Sequence, residues 1–124
     1  MFADKAATAM IPARDVERAK KWYEEKLGIK AAEVMEYGAR FALSGVNAFL
    51  YPTEFAGTAK HTLLSFNTTD LLGDMAEMRK RGVVFEEYDL PDMKTENGIA
   101  SWGDVKNAWC KDSEGNILGF VQGM

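Results

Sequence analysis

Asp15-Val16-Glu17-Arg18-Ala19-Lys20-Lys21-Trp22-Tyr23-Glu24-Glu25-Lys26-Leu27-Gly28 is the stretch that decides the fold. Asp15 can accept from the first unpaired amides of a helix, and Glu17 suits the positive end of its dipole. Val16, Ala19, Trp22, Tyr23 and Leu27 recur at helical spacing, and Gly28 stands where a left-handed stop belongs. The spacing therefore predicts a helix over Val16–Leu27. Upstream, Ala6–Ile11 reads as a short buried strand closed by Pro12, which cannot donate to a sheet ladder. Downstream, Ala32–Met35, Ala39–Leu43 and Asn47–Tyr51 read as strands, with Gly38 and Ser44-Gly45 as turns and Pro52 as a stop.

The pattern then repeats. After a linker over Glu54–Lys60, His61–Phe66 reads as a strand. Asp70 caps a second helix carrying Leu71, Leu72, Met75 and Met78, with Gly82 as its stop. Strands are expected at Val84–Tyr88, Asn107–Lys111 and Ile117–Gln122, the last two joined by Asp112-Ser113-Glu114-Gly115-Asn116. The extra length of the second half falls in Leu90–Gly103, a long irregular loop of the kind that tends to be functional or mobile. The fold class is α+β: one domain of two tandem βαβββ modules, about 5–56 and 60–124. Neither module closes a barrel alone, so the two are expected to form a cupped mixed sheet whose concave face is a binding cavity.

Composition excludes several functions. The chain is 47% hydrophobic and 27% charged, ordinary for a globular domain, with a net charge of −4. Lys20, Lys21, Lys26 and Lys30 are interleaved with Glu17, Glu24 and Glu25, which makes a solvated helix face rather than a phosphate-binding one, so no nucleic-acid partner is expected. No run approaches the roughly 18 apolar residues of a membrane span, and the first residues lack a basic segment followed by an apolar one. No membrane partner and a cytoplasmic location are expected. Asn67-Thr68-Thr69 is then a chance match to a glycosylation acceptor. Cys110, the single cysteine, cannot form an internal disulfide and reads as a buried inert thiol.

Ile11–Ala19, Trp22–Gly28 and Trp109–Leu118, in that order and within an internal repeat, resemble the vicinal oxygen chelate superfamily of glyoxalase, bleomycin-resistance and dioxygenase proteins. The resemblance extends over nearly the whole chain. It implies the paired βαβββ architecture and a homodimer with two cavities. It leaves activity open, because the superfamily includes metal-dependent isomerases, epimerases, dioxygenases and thiol transferases as well as antibiotic-binding proteins that use no metal.

In metal-using relatives, ligands come from the first and last strand of each module. Those slots fall here at Thr8, Leu63, Tyr51 (or Phe49) and Gly119. None is a histidine or a carboxylate, and a divalent metal needs several such donors. No metal site and no cofactor are expected, with a divalent metal as the alternative. His61, the single histidine, lies two residues before the Leu63 slot, hence on the same strand face. It is the one weak catalytic candidate, and a structural role, opening a strand and capping or hydrogen-bonding at the sheet edge, is the preferred reading. No nucleophile elbow, Walker motif or dinucleotide glycine motif accompanies it. Adjacent Glu86 and Glu87 point to opposite faces of a strand and cannot act as a carboxylate pair.

The cup is left with aromatics. Phe41, Phe49, Tyr51, His61, Trp102 and Trp109 are the ligand-binding candidates, with Phe66 and Phe120 as further large rings. Phe49 and Tyr51 share a strand face. Trp102, between Gly98 and Gly103, would sit in the late loop as a lid. Core packing is the competing role for every strand aromatic. The leading expectation is a metal-free protein that binds an apolar or aromatic small molecule, such as an antibiotic. The alternatives are a lyase, isomerase or dioxygenase using His61, and a small-molecule sensor.

Overall fold

The computed structural model describes all residues, 1–124. The first module contains β1 (Thr8–Ala13), α1 (Val16–Leu27), β2 (Glu33–Met35), β3 (Gly38–Leu43) and β4 (Val46–Pro52). The helix begins and ends where the sequence predicts. The Arg18 amide donates to the Asp15 side chain at 3.0 Å, and Gly28, at φ 69°, returns its N–H to the Glu24 carbonyl at 3.2 Å. The strands order as β1-β4-β3-β2, with β1 parallel to β4 and the other pairs antiparallel.

Pro12, expected to end the first strand, lies inside it. β1 is an edge strand. The Pro12 carbonyl accepts from Asn116 Nδ2 at 2.8 Å, so that side of the residue faces away from β4. The missing N–H costs the ladder nothing there.

The second module repeats the order. It contains β5 (Thr62–Thr68), α2 (Leu71–Lys80), a small hairpin of β6 (Asp89–Leu90) and β7 (Met93–Lys94), then β8 (Ala100–Trp102), β9 (Val105–Lys111) and β10 (Ile117–Gln122). Its sheet runs β5-β10-β9-β8, again with the first and last strands parallel. Two expectations need correction. Val84–Tyr88 is not a strand; Phe85 makes a lone bridge to Cys110, and the Glu86 amide bonds the Trp109 carbonyl. Leu90–Gly103 is not a structureless loop; it forms the hairpin and then β8. The outer edge of β9 is shared between these two short segments, each too brief to show a period.

Helix-facing side chains merge into one core. Ile11, Tyr23, Phe41 and Leu50 from the first module join Leu71, Met75, Cys110, Leu118 and Phe120 from the second. The modules are latched by the β9–β10 turn. Asp112 accepts from the Tyr23 hydroxyl at 2.6 Å and from the Glu114 and Asn116 amides. Glu114 accepts from the Arg14 and Asp15 amides, both at 2.9 Å, and from the Arg18 guanidinium through two nitrogens. Asn116 also takes the Gly57 amide, so the expected linker is docked rather than free. No helix is long and apolar enough to cross a membrane.

Candidate functional site

Strand alternation gives each sheet one face under its helix and one face open. In the first sheet, Ala39, Phe41, Ala48 and Leu50 are buried beneath α1. The opposite face carries Thr8, Met10 and Pro12 of β1, Asn47, Phe49 and Tyr51 of β4, Gly38, Arg40 and Ala42 of β3, and Glu33 and Met35 of β2. In the second sheet, Leu118, Phe120, Ala108 and Cys110 face the core. Its open face carries Ser65, Asn67, Gly119, Val121, Asn107, Trp109 and Trp102.

Both open faces are built around the same arrangement. A Cβ placed on Gly38 would fall 2.7 Å from the Phe49 ring, so that ring lies over the glycine of the neighbouring strand. Tyr37 flanks it, with ring centroids 6.0 Å apart. A Cβ placed on Gly119 would fall 3.5 Å from the Trp109 indole nitrogen, and Tyr88 meets that indole edge-on at 5.6 Å. Each module thus lays one large ring across a side-chain-free patch of its own sheet and steadies it with a tyrosine. Burial, then the charge of Glu86, pushes the Tyr88 hydroxyl above its ordinary pKa, so it stays neutral. In the single chain parts of these faces meet solvent: Met10, Tyr37 and Trp102 are 49%, 65% and 47% exposed, although Gly119 and Val121 are buried at the centre of the second.

The sequence-derived candidates separate accordingly. Phe49 and Tyr51 share the first open face; Trp109 and Trp102 share the second. Trp102 belongs to an edge strand rather than a lid loop, because Ala100–Trp102 pairs with Val105–Asn107. Phe41 is a core residue: it is fully buried and its ring packs against Tyr23 at 5.4 Å. Its position in β3 gives it the helix-facing parity. His61 is exposed just ahead of β5. Tyr37, Tyr88 and Arg40 were missed. Tyr37 sits in a turn and Tyr88 outside any strand, where alternation says nothing, but the parity of Arg40 in β3 was readable.

The ligand slots of metal-using relatives fall on Thr8, Tyr51, Leu63 and Gly119. Three lie on the open faces, and Leu63 sits at a register shift between β5 and β10. Their donors are a hydroxyl, a phenol and nothing else, and His61 belongs to no cluster of metal-ligating side chains. This donor set does not fit a divalent metal. Cys110 adds no nucleophile, since burial, reinforced by Asp112, pushes its thiol up to about 12.

A cavity of about 830 Å³ lies elsewhere. It runs between the end of α1, the β3–β4 turn, the unpaired edge of β5 and α2, and of the sequence-derived aromatics only the further rings Phe66 and Phe120 line it. Its polar groups are engaged with each other: Lys26 bonds the Arg81 carbonyl, Arg81 pairs with Glu77 at 3.1 Å, and Thr68 bonds Asp74. It is the gap left where β5 has no neighbouring strand.

The fold is widely shared among solved structures. A glyoxalase family protein from Bacillus anthracis superimposes with a TM-score of 0.76 at 16% identity, covering 100% of this chain and 98% of that one. The fosfomycin resistance protein FosX of Listeria monocytogenes gives 0.72 at 8% identity, covering 99% and 96%. A bleomycin-binding protein complexed with bleomycin gives 0.71 at 15% identity, covering 98% and 100%. At such identities the likeness is one of fold. No curated protein matches the sequence. The family description Glyoxalase/Bleomycin resistance protein/Dioxygenase superfamily matches residues 5–120, and the chain, with its paired βαβββ modules, belongs to that superfamily.

Proposed function

We propose that the protein binds a planar apolar or aromatic small molecule without a metal ion, using the open faces of its two sheets. The observation that carries this is the pair of half-buried rings, Phe49 and Trp109, each beside a glycine on the open face of its own sheet. Rings held this way stack on flat ligands, a contact of about 0.5–1.5 kcal/mol beyond the area buried. The likeness to a bleomycin-binding protein and a fosfomycin resistance protein supports an antibiotic as one such ligand. Two copies of the chain complete the cup. β1 and β5 are both edge strands, and an edge as long as Thr62–Thr68 is normally covered. Setting β1 of one copy beside β5 of the other brings the first open face against the second.

Calorimetric titration with a panel of planar aromatic compounds, with and without exhaustive chelation, tests the reading. Binding should survive chelation, and Phe49→Ala and Trp109→Ala should each weaken it by about 1–3 kcal/mol. Sedimentation should show about twice 13.8 kDa. Binding lost with a stoichiometric metal, or unchanged in both variants, overturns it.

A further inference from the structure

Arg40 is the single cationic side chain among the strand residues of the first open face. The others there are apolar or uncharged, except Glu33 directly across on β2. Arg40 stands opposite Phe49 in the β3–β4 register, beside the ring that overlies Gly38. Its guanidinium is loosely held. Nε reaches Glu33 Oε1 at 3.4 Å and Nη1 reaches Asn47 Oδ1 at 3.4 Å, both at the long end of hydrogen bonding. A guanidinium offers five N–H donors in a planar fork, so most of its capacity is unused.

Stability does not explain the residue. The side chains of Arg40 and Glu33 are 37% and 56% exposed, and such cross-strand pairs contribute little. Exchanging the Glu33 carboxylate for another carboxylate at better geometry therefore costs little and gains a bidentate, charge-assisted contact. The second sheet offers no equal. Lys111, at the far end of β9, is a point charge already facing Glu86 at 3.4 Å.

Resting on the aromatic-ligand reading above, we propose that the ligand is an aromatic carboxylate, its ring on Phe49 and its acid group on Arg40. Glu33 then acts as an internal competitor that occupies the guanidinium until the ligand arrives. The proposal joins a stacking surface and an underused bidentate donor that adjoin on one sheet face.

Calorimetry with naphthoate and its neutral counterpart naphthamide provides the test. Wild-type protein should prefer naphthoate by about tenfold or more, the scale of one charge-assisted contact. Arg40→Met should erase the preference by lowering naphthoate affinity to about that of naphthamide, with urea unfolding of the variant reporting that it is folded. Glu33→Gln should raise naphthoate affinity several-fold by removing the competitor. If Arg40→Met does not fold, the Glu33→Gln arm decides alone. Equal binding of the two probes, a preference that persists in Arg40→Met, or no gain in Glu33→Gln overturns the proposal while leaving the aromatic reading intact. Failure of both probes to bind counts against the aromatic reading itself.

Discussion

The Tyr23 hydroxyl of α1 donates a 2.6 Å hydrogen bond to Asp112 of the β9–β10 turn, tying the helix of one module to the last hairpin of the other. Burial, then the charge of Asp112 and its hydrogen bond, holds this phenol well above its ordinary value of 10.0. Tyr23→Phe keeps the ring packed on Phe41 but removes the donor from a buried carboxylate. It should cost about 1–3 kcal/mol in urea unfolding. A raised folded-state pKa contributes stability that is complete below the unfolded value and lost as pH rises past it. Wild-type stability should therefore fall above about pH 10, more steeply than in Tyr23→Phe. Identical alkaline profiles would contradict this.

Glu114 makes the opposite forecast at the acid end. Its side chain is fully buried. Burial alone would raise its pKa, but hydrogen bonds from Arg18, the Asp15 amide and Ser113, with the Arg18 charge, hold it at about 2, against 4.5 ordinarily. A depressed pKa contributes stability that is present above the unfolded value and lost as pH falls toward the folded one. Stability should decline between about pH 4.5 and 2. Glu114→Ala should cost about 2–4 kcal/mol at neutral pH, since it strips two backbone amides of their acceptor as well as Arg18 of its partner. A variant as stable as wild type would show that the latch is dispensable.

The two glycines beneath the rings should respond differently to alanine. At Gly38, φ is 155° and a new Cβ would collide with the Leu50 carbonyl and the Phe49 ring. Gly38→Ala should cost about 2–3 kcal/mol, because backbone cannot move aside. At Gly119 the nearest atoms are the Ser65 hydroxyl and a Thr62 methyl, both at 3.2 Å, with the indole of Trp109 at 3.5 Å. Those are side-chain ends, so Gly119→Ala should cost less than about 1.5 kcal/mol and report instead as a shift in tryptophan fluorescence. Equal losses at the two positions would contradict the assigned packing.

Local signals carried most of the fold. The caps and spacing of α1 are intrinsic to Asp15–Gly28, and a repeat of that unit at Asp70 implies two modules. The second strand of the βαβββ pattern in the second module is not legible because its place beside β9 is divided. Val83, Val84 and Phe85 look like a strand, yet the paired residues are Ala100–Trp102, and only tertiary contact with β9 decides between them. The aromatic candidates were half separable from sequence. Phe49 and Tyr51 follow from alternation, whereas the core role of Phe41 requires its parity relative to α1 to be fixed. The latch was invisible except as a turn, since its partners lie some hundred residues apart in the chain.

That separation has a consequence for how the molecule is made. The amides that open α1 wait for a carboxylate from Glu114, and the edge of β1 waits for Asn116. During synthesis at roughly 5–20 residues per second, the first module emerges several seconds before its last fastening exists. The earlier half must persist as a loosely closed nascent unit, with β1 and its unpaired edge available to chaperones or to another growing chain. Ribosome-stalled chains ending before and after the β9–β10 turn should thus differ sharply in protease resistance within residues 5–56, although every residue of that half has already been built.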